Sequence, residues 1–291
     1  MKKTLHYCLI LLLIVVIDSA FYSSILRPII LSWGASDHEA SEVLPGDDLA
    51  PHISSTRAIT IKAPMSDVWK WLVQLGADRG GFYSYTFLEH LSGYDTDNTI
   101  VIVPEYQSME VGRIVPGNRS ESGSLFKDGW RVVEVDPGNS IVLENWGAFV
   151  LRPVNSGQTR LIVRTHGWDT SKMASRIGWY IMEPLHYLME RRMLMGIRDR
   201  TEAGPGVPLP QWPDIVWFVG IVLSGLGVLA IMIIGRGIYS ILLPAILGAL
   251  WLITLLYVNP SPAYSIILAA LTIMAAGWQA RKKYNKSNQL S

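Results

Sequence analysis

The sequence predicts an α+β domain carried between membrane-spanning helices, and three observations predict it. Charge is segregated along the 291 residues: 215–280 hold a single charged residue, Arg236, whereas 33–212 hold 17 basic and 22 acidic residues. Within 33–212 an early strand and helices lead into a run of alternating, turn-separated segments, and a long amphipathic helix closes the region. The chain has one cysteine, Cys8, so no disulfide framework holds it. A folded part with net charge −5 excludes a general nucleic-acid binder, and 49% hydrophobic residues exclude a disordered chain.

The membrane elements come first in the argument because they bound the rest. Residues 215–235 and 238–258 are uncharged runs of 21, and 263–280 is one of 18. About 20 apolar residues cross about 30 Å of hydrocarbon as a helix. The breaks between them, at Gly235-Arg236-Gly237 and Asn259-Pro260-Ser261-Pro262, are turn chemistry. Trp212, Trp217, Trp251, Tyr257, Tyr264 and Trp278 lie near the expected ends, as an interfacial aromatic belt requires. At the N-terminus, Lys2 and Lys3 precede the apolar run 9–17. With Ala20 at −1 of a cleavage site, Asp18 would stand at −3, which is poor for signal cleavage, so an uncleaved anchor is expected within 1–32. Asp18 is costly at mid-bilayer and is expected off-centre or facing other helices. Four crossings place Lys2/Lys3, Arg236 and the basic tail 281–291 on one side, which the positive-inside rule makes cytoplasmic. The polar domain is then extracytoplasmic in a cell membrane.

Between the membrane elements, residues 33–56 are acidic, small and aperiodic, and read as a linker. Residues 57–61 alternate like a strand that stops at Pro64, and Ser66 is placed to cap a helix containing Val68, Trp69, Trp71, Leu72 and Leu75. A short helical run covers 86–91. Strands are expected near 113–115, 130–135, 141–146, 149–153 and 159–168, with hairpin turns at Asp136-Pro137-Gly138-Asn139 and Asn155-Ser156-Gly157-Gln158. A long helix over 172–202, kinked at Pro184, closes a domain spanning 57–204. Three transmembrane helices follow within 213–280.

The stretch RAITIKAPMSDVWKWLVQLGADRGGFYSYTFLEHL (57–91), followed by VPEYQSMEVGR (103–113), resembles a membrane-attached branch of the SRPBCC superfamily, the START/Bet v 1-like or polyketide cyclase/dehydrase-like proteins. The Ala-Pro-x-x-x-Val-Trp element carries the superfamily likeness, and Arg-Gly-Gly-Phe-Tyr-Ser-Tyr that of the branch. The resemblance covers about residues 33–202. It implies a helix-grip fold, a curved antiparallel sheet around a long C-terminal helix with a cavity between. Superfamily members include lipid carriers, receptors, cyclases and hydroxylase components, so the fold does not select a function.

The chemistry-bearing residues are few. The six histidines are scattered, with no metal-ligand spacing, and nothing calls for a metal or cofactor. No GxGxxG or GxSxG motif is present. Strand parity groups Arg164, His166 and Trp168 on one face of the last strand, and Glu144 with Trp146 on one face of 141–146. If those faces are concave, an Arg164–Glu144 pair lines the cavity and fixes a polar headgroup; if not, they face solvent, and parity does not choose. Tyr83 and Tyr85 are either a cavity lid or turn packing. Asp78-Arg79 reads as a structural pair.

Two functions follow from the resemblance. One is membrane-tethered binding of a lipid or hydrophobic small molecule, with Tyr83, Tyr85, Glu144, Trp146, Arg164, His166 and Trp168 as ligand-binding residues. The other is an enzyme of cyclase or dehydratase type using Glu144 or His166 as acid/base. A purely structural role beside another membrane protein is a third. The partners implied are a lipid or hydrophobic molecule and the bilayer; no protein partner is legible.

Overall fold

The computed structural model describes residues 2–50, 52–119, 129–167, 171–235 and 238–288, with side chains from 9 to 282. Trp168, Arg236 and the end of the basic tail therefore lie outside the described residues. The chain divides into two compact units, Ile30–Leu209 and a unit made of Met1–Ile29 with Pro210–Ser291.

The second of these units is helical. Helix α1 (Lys2–Phe21) runs through a π-helical turn, Tyr22–Leu26, into α2 (Arg27–Leu31). Helices α7 (Trp212–Ile234), α8 (Tyr239–Leu252, extended by a π-helical turn Ile253–Tyr257) and α9 (Pro262–Asn288) complete it. Among the described residues four helices are long and apolar enough to cross a membrane: Leu9–Leu31, Trp212–Ile234, Tyr239–Tyr257 and Pro262–Lys282. This is a membrane protein with an α+β domain. Small residues bring α7 and α9 together, because a methyl group at Gly220 would meet Ser265 Oγ at 2.5 Å and one at Gly227 would meet Thr272 Oγ1 at 2.6 Å. Such contacts suit helices that pack without a hydrophobic driving force between them. Trp251 donates its indole N–H to the Ile221 carbonyl at 2.8 Å, tying α8 to α7. The Asp18 carboxylate faces α8 at Gly248, a position where any side chain would strike it.

The α+β unit is built on one six-stranded antiparallel sheet in the order β1-β6-β5-β4-β3-β2. Its strands are β1 (Ile53–Ile61), β2 (Ile114–Val115), β3 (Trp130–Asp136), β4 (Ser140–Leu143), β5 (Gly147–Asn155) and β6 (Gln158–His166). The expected hairpin turns at 136–139 and 155–158 connect β3 to β4 and β5 to β6. Between β1 and β2 lie α4 (Met65–Leu72) and α5 (Thr86–Leu91); α6 (Met173–Ala203) follows β6. Helix α4 begins two residues earlier than its sequence suggests. Pro64 holds the N-cap position without a side-chain bond, and Ser66 falls inside the first turn.

Strand alternation gives the sheet two covered faces. Ile59, Ile61, Ile141, Leu143, Phe149, Leu151, Leu161 and Val163 form one core with Val68, Trp71 and Leu72 of α4 and Met193, Leu194 and Ile197 of α6. Ala58, Val142, Ala148, Val150 and Ile162 form a second core on the opposite face with Leu44. Residues 33–50, expected as a linker, are a packed strap on that face. Its helix α3 (Asp37–Ser41) is set by a capping box: Ser36 Oγ accepts from the Glu39 N–H at 3.2 Å and Glu39 accepts from the Ser36 N–H at 2.7 Å. The segment lacks periodicity because it is held by individual contacts, not by a continuous apolar stripe.

Helix α6 comes close to the rest of the domain at Gly196, where a methyl group would come within 2.0 Å of the Tyr83 carbonyl oxygen. Gly178 on the same helix has nothing within 4 Å of that position. Gly196→Ala is therefore expected to destabilise by about 1–3 kcal/mol through overpacking. Gly178→Ala is expected to stabilise by about 0.5–1 kcal/mol through helix propensity. Denaturant titration of the full-length protein in detergent measures both; equal effects would remove the close approach as the reason for Gly196.

Candidate functional site

On the helix-covered face, β1 presents Ser55, Arg57, Ile59 and Ile61, and β6 presents Leu161, Val163 and Thr165. The apolar ends of both strands enter the core. The polar ends, Ser55, Arg57 and Thr165, are also buried, against α6, whose Tyr187, Glu190, Arg191 and Leu194 recur at helical spacing.

Arg57 and Glu190, each 1% exposed, form an ion pair with Nη1 and Oε1 2.6 Å apart. Arg57 also donates Nε–H to the Ile30 carbonyl at 2.8 Å, at the C-terminal end of α2, where a cation offsets the helix dipole. The other carboxylate oxygen of Glu190 accepts from Thr165 Oγ1 at 3.0 Å. It lies 3.7 Å from His186 Nε2, one turn earlier on α6. The Tyr187 ring is flanked by two guanidiniums, Arg57 and Arg191, each 5.1 Å from its centroid; Arg191 donates to its hydroxyl at 3.3 Å. Ser55 Oγ, buried beside this cluster in the strand, has no hydrogen-bond partner among the described residues.

The electrostatics follow from burial. Desolvation alone would raise the Glu190 carboxyl, but Arg57, His186 and the bonds from Arg57 and Thr165 outweigh it and hold it below the usual carboxylate range. Desolvation lowers the His186 imidazole, and the nearby Arg57 charge adds to this against the pull of Glu190 and Glu183. Burial raises the Tyr187 phenol although both arginines oppose it. The cluster thus holds an ionised carboxylate, two guanidiniums and an imidazole held toward its neutral form. It can bind a polar group through charge-assisted hydrogen bonds. Among the described residues no group of three His, Cys, Asp or Glu side chains is placed to hold a metal ion.

The sequence-derived residues fall elsewhere. Arg164 and His166 do share a face, but it is the strap face. Arg164, 3% exposed, lies 3.3 Å from Asp47 Oδ2 and donates to the Glu39 and Glu42 carbonyls at 3.0 and 2.9 Å. The expected Arg164–Glu144 pair does not form: Glu144 is about half exposed and lies 3.8 Å from Arg131. His166 sits beneath the strap 4.0 Å from Asp47; burial first, then Arg164, lowers its imidazole against the pull of Asp47 and Asp48. Trp146 does not share the face of Glu144. Strand β4 ends at Leu143 and Asn145 takes a left-handed conformation (φ 63°), so the turn sends Trp146 into the main core. There it packs on Trp130 and Phe149, with ring centroids 4.4 and 5.4 Å away.

Tyr83 and Tyr85 are both buried. Tyr83 donates its hydroxyl to the Trp71 carbonyl at 3.1 Å and lies under Arg200, 4.9 Å from the ring. Tyr85 occupies the N-cap position of α5. Arg79 donates to the Val73, Tyr106 and Ser108 carbonyls, and Asp78 pairs with Arg113, so neither pairs with its sequence neighbour. Trp168 lies outside the described residues.

Sequence reasoning missed Arg57, Thr165, His186 and Glu190. The usable signal was the contrast between the two faces of β6. Leu161 and Val163 are apolar neighbours on one face, whereas Arg160 and Arg164 interrupt the other. The apolar face is the one a helix covers, and polar residues at its end belong to the buried cluster.

No family model, curated protein or solved structure matches this chain.

Removing Arg57 leaves Glu190 buried without its main counter-charge, so Arg57→Met is expected to cost about 3–5 kcal/mol. Adding Glu190→Gln should restore much of that loss, because the stranded charge is gone. Glu144→Gln, at an exposed pair, is expected to change stability by about 0–1 kcal/mol. Chemical denaturation of the full-length variants reads all three, and a neutral Arg57→Met would show that the pair is not structurally important.

Proposed function

We propose that the domain Ile30–Leu209 is a helix-grip domain of SRPBCC type that binds a lipid or another hydrophobic molecule with a polar headgroup, beside the bilayer holding the chain. The observation that carries this reading is the buried Arg57–Glu190 pair on the helix-covered face of the sheet, with the unpartnered Ser55 hydroxyl beside it in the strand. A buried hydroxyl without a partner costs about 1–3 kcal/mol, and a headgroup oxygen relieves that cost. The sheet covered by a long closing helix is the arrangement that the resemblance implies. Glu144 and His166, the acid–base candidates of the enzyme reading, face solvent and the strap and share no site, so binding is favoured over catalysis. The chain's orientation is part of the proposal: both termini are cytoplasmic and the domain is extracytoplasmic, in the cell membrane. Charge supports it, and so does the packing of Lys282 over Tyr239 and Trp278, at 4.5 and 5.0 Å, which joins the start of α8 to the basic end of α9.

Native mass spectrometry of the full-length protein from mild detergent tests the binding. The wild type is expected to retain one lipid-like molecule, and Arg57→Met with Glu190→Gln to lose it. Retention by both, or by neither after lipid is supplied, overturns the headgroup site. A reporter active only in the cytoplasm is expected to work when fused after Gln289 and to fail when inserted near Gly46; the reverse pattern sinks the orientation.

A further inference from the structure

Helix α6 has two halves of different character. From Tyr187 onward its inner face is buried in the domain, through Leu194 and Ile197 in the core and Glu190 in the ionic cluster. Before that, Met173, Ile177, Ile181 and Leu185, spaced four apart and so on one side of the helix, are about half to two-thirds exposed: 66%, 55%, 65% and 49%. A stripe of large apolar side chains over three turns is not an ordinary water-facing surface. The same half carries exposed Lys172 and Arg176 at its start and exposed Tyr180 along its length, while Trp179 and Glu183, on its other side, are buried. Apolar residues and a tyrosine on one side with basic residues at the margin are the composition of a helix lying in a membrane interface.

The covalent chain restricts what covers the stripe. Ile30, the first residue of the α+β unit, lies within the candidate span Leu9–Leu31, and Leu209, its last, is three residues before the span Trp212–Ile234. Both ends of the domain are therefore joined, with almost no linker, to helices long and apolar enough to cross a membrane. We propose that the N-terminal half of α6, about Met173 to Leu185, is a bilayer-contacting element. Its Met173–Ile177–Ile181–Leu185 stripe lies in the interfacial region of the lipid, and Lys172 and Arg176 meet anionic headgroups. This rests on the chain's being a membrane protein and not on the ligand reading, so either can fail without the other.

The test uses the full-length protein with Cys8→Ser, which leaves no other cysteine. Single cysteines replace Ile177, Ile181, Leu185 or, as a control in the β5–β6 turn, Ser156; all four positions are exposed, so the fold does not depend on them. Each carries an environment-sensitive fluorophore. The proteins are reconstituted in vesicles of phosphatidylcholine and phosphatidylglycerol, with or without lipids bearing a nitroxide near the headgroup. Quenching at 177, 181 and 185 is expected to exceed that at 156 by about two-fold or more, because an interfacial helix buries its apolar face about 5–10 Å deep. Quenching at those positions by aqueous iodide should fall correspondingly. Labels as water-accessible as the one at 156 would overturn the proposal. So would labels shielded from iodide yet unquenched by lipid nitroxide, since that pattern means that protein, including a second copy of this chain, covers the stripe.

Discussion

The ion pair between Arg57 and Glu190 is the constraint on which the α+β unit depends. Two charges 133 positions apart in sequence are each 1% exposed and 2.6 Å apart. Desolvating them costs several kcal/mol per ion, and their attraction offsets that only when the remaining donors and acceptors are satisfied. Here Arg57 also serves the Ile30 carbonyl, and Thr165 and His186 serve or flank Glu190. One guanidinium therefore ties β1 to the Ile30 carbonyl and to α6, and one carboxylate ties α6 to β6. The pair fixes the position of α6 together with the close approach of Gly196 to the Tyr83 carbonyl. Its contribution is the register of α6, more than net stability.

The opposite face of the sheet solves a similar problem by different means. Arg152, Arg160 and Arg164 all project there, and each meets an acidic residue of the 33–50 strap. Arg152 lies 2.7 Å from Glu42, Arg160 lies 2.7 Å from Glu39 and Arg164 lies 3.3 Å from Asp47. The Arg160 bond, with the Ser36 bonds behind it, lowers the Glu39 carboxyl to about 2 despite partial burial. The acidic character of 33–50 thus has a local purpose. It neutralises three arginines that would otherwise lie over an apolar layer of Ala58, Val142, Ala148, Val150 and Ile162. The Arg152 and Arg160 pairs, nearer solvent, hold position more than they stabilise, whereas Arg164 is buried.

How much of this was legible depended on whether the signal was local. The long uncharged runs and the strand–turn–strand pattern from Trp130 to His166 are set by periodicity within a few residues, and they could be read. The site could not, because strand parity sorts residues into two faces without saying which face a helix covers. Arg164 and His166 were grouped correctly, but their layer stayed open, and the structure puts them under the 33–50 strap. Trp146 failed for a different reason: the left-handed Asn145 breaks the alternation after Leu143, and nothing before that turn announces it. Residues 33–50 look like a linker because their order comes from arginines more than 100 positions away. Glu190 was hidden because a charged residue on a long helix ordinarily faces water; only its partner on β1 makes it an interior residue.

Helix α6 brings these threads together, since its exposed apolar stripe ends where the ionic cluster is reached. Leu185 ends the exposed apolar stripe on one side, while the buried side runs from Trp179 and Glu183 to His186, beside Glu190, and to Tyr187, buried between two guanidiniums. A segment meant only to close a soluble core would keep its apolar residues on the inner face throughout. One meant only to lie on lipid would not carry Glu190 inward. The order apolar-outward, then ionic-inward, matches the order of an amphiphile, hydrocarbon followed by headgroup. On the proposed reading the two halves are therefore a single device: the stripe keeps the start of α6 in the lipid, and the Arg57–Glu190 cluster stands one turn further on, where a headgroup drawn from that lipid would arrive. The polar cluster then needs no long channel through the domain, only a position at the end of the helix that touches the membrane.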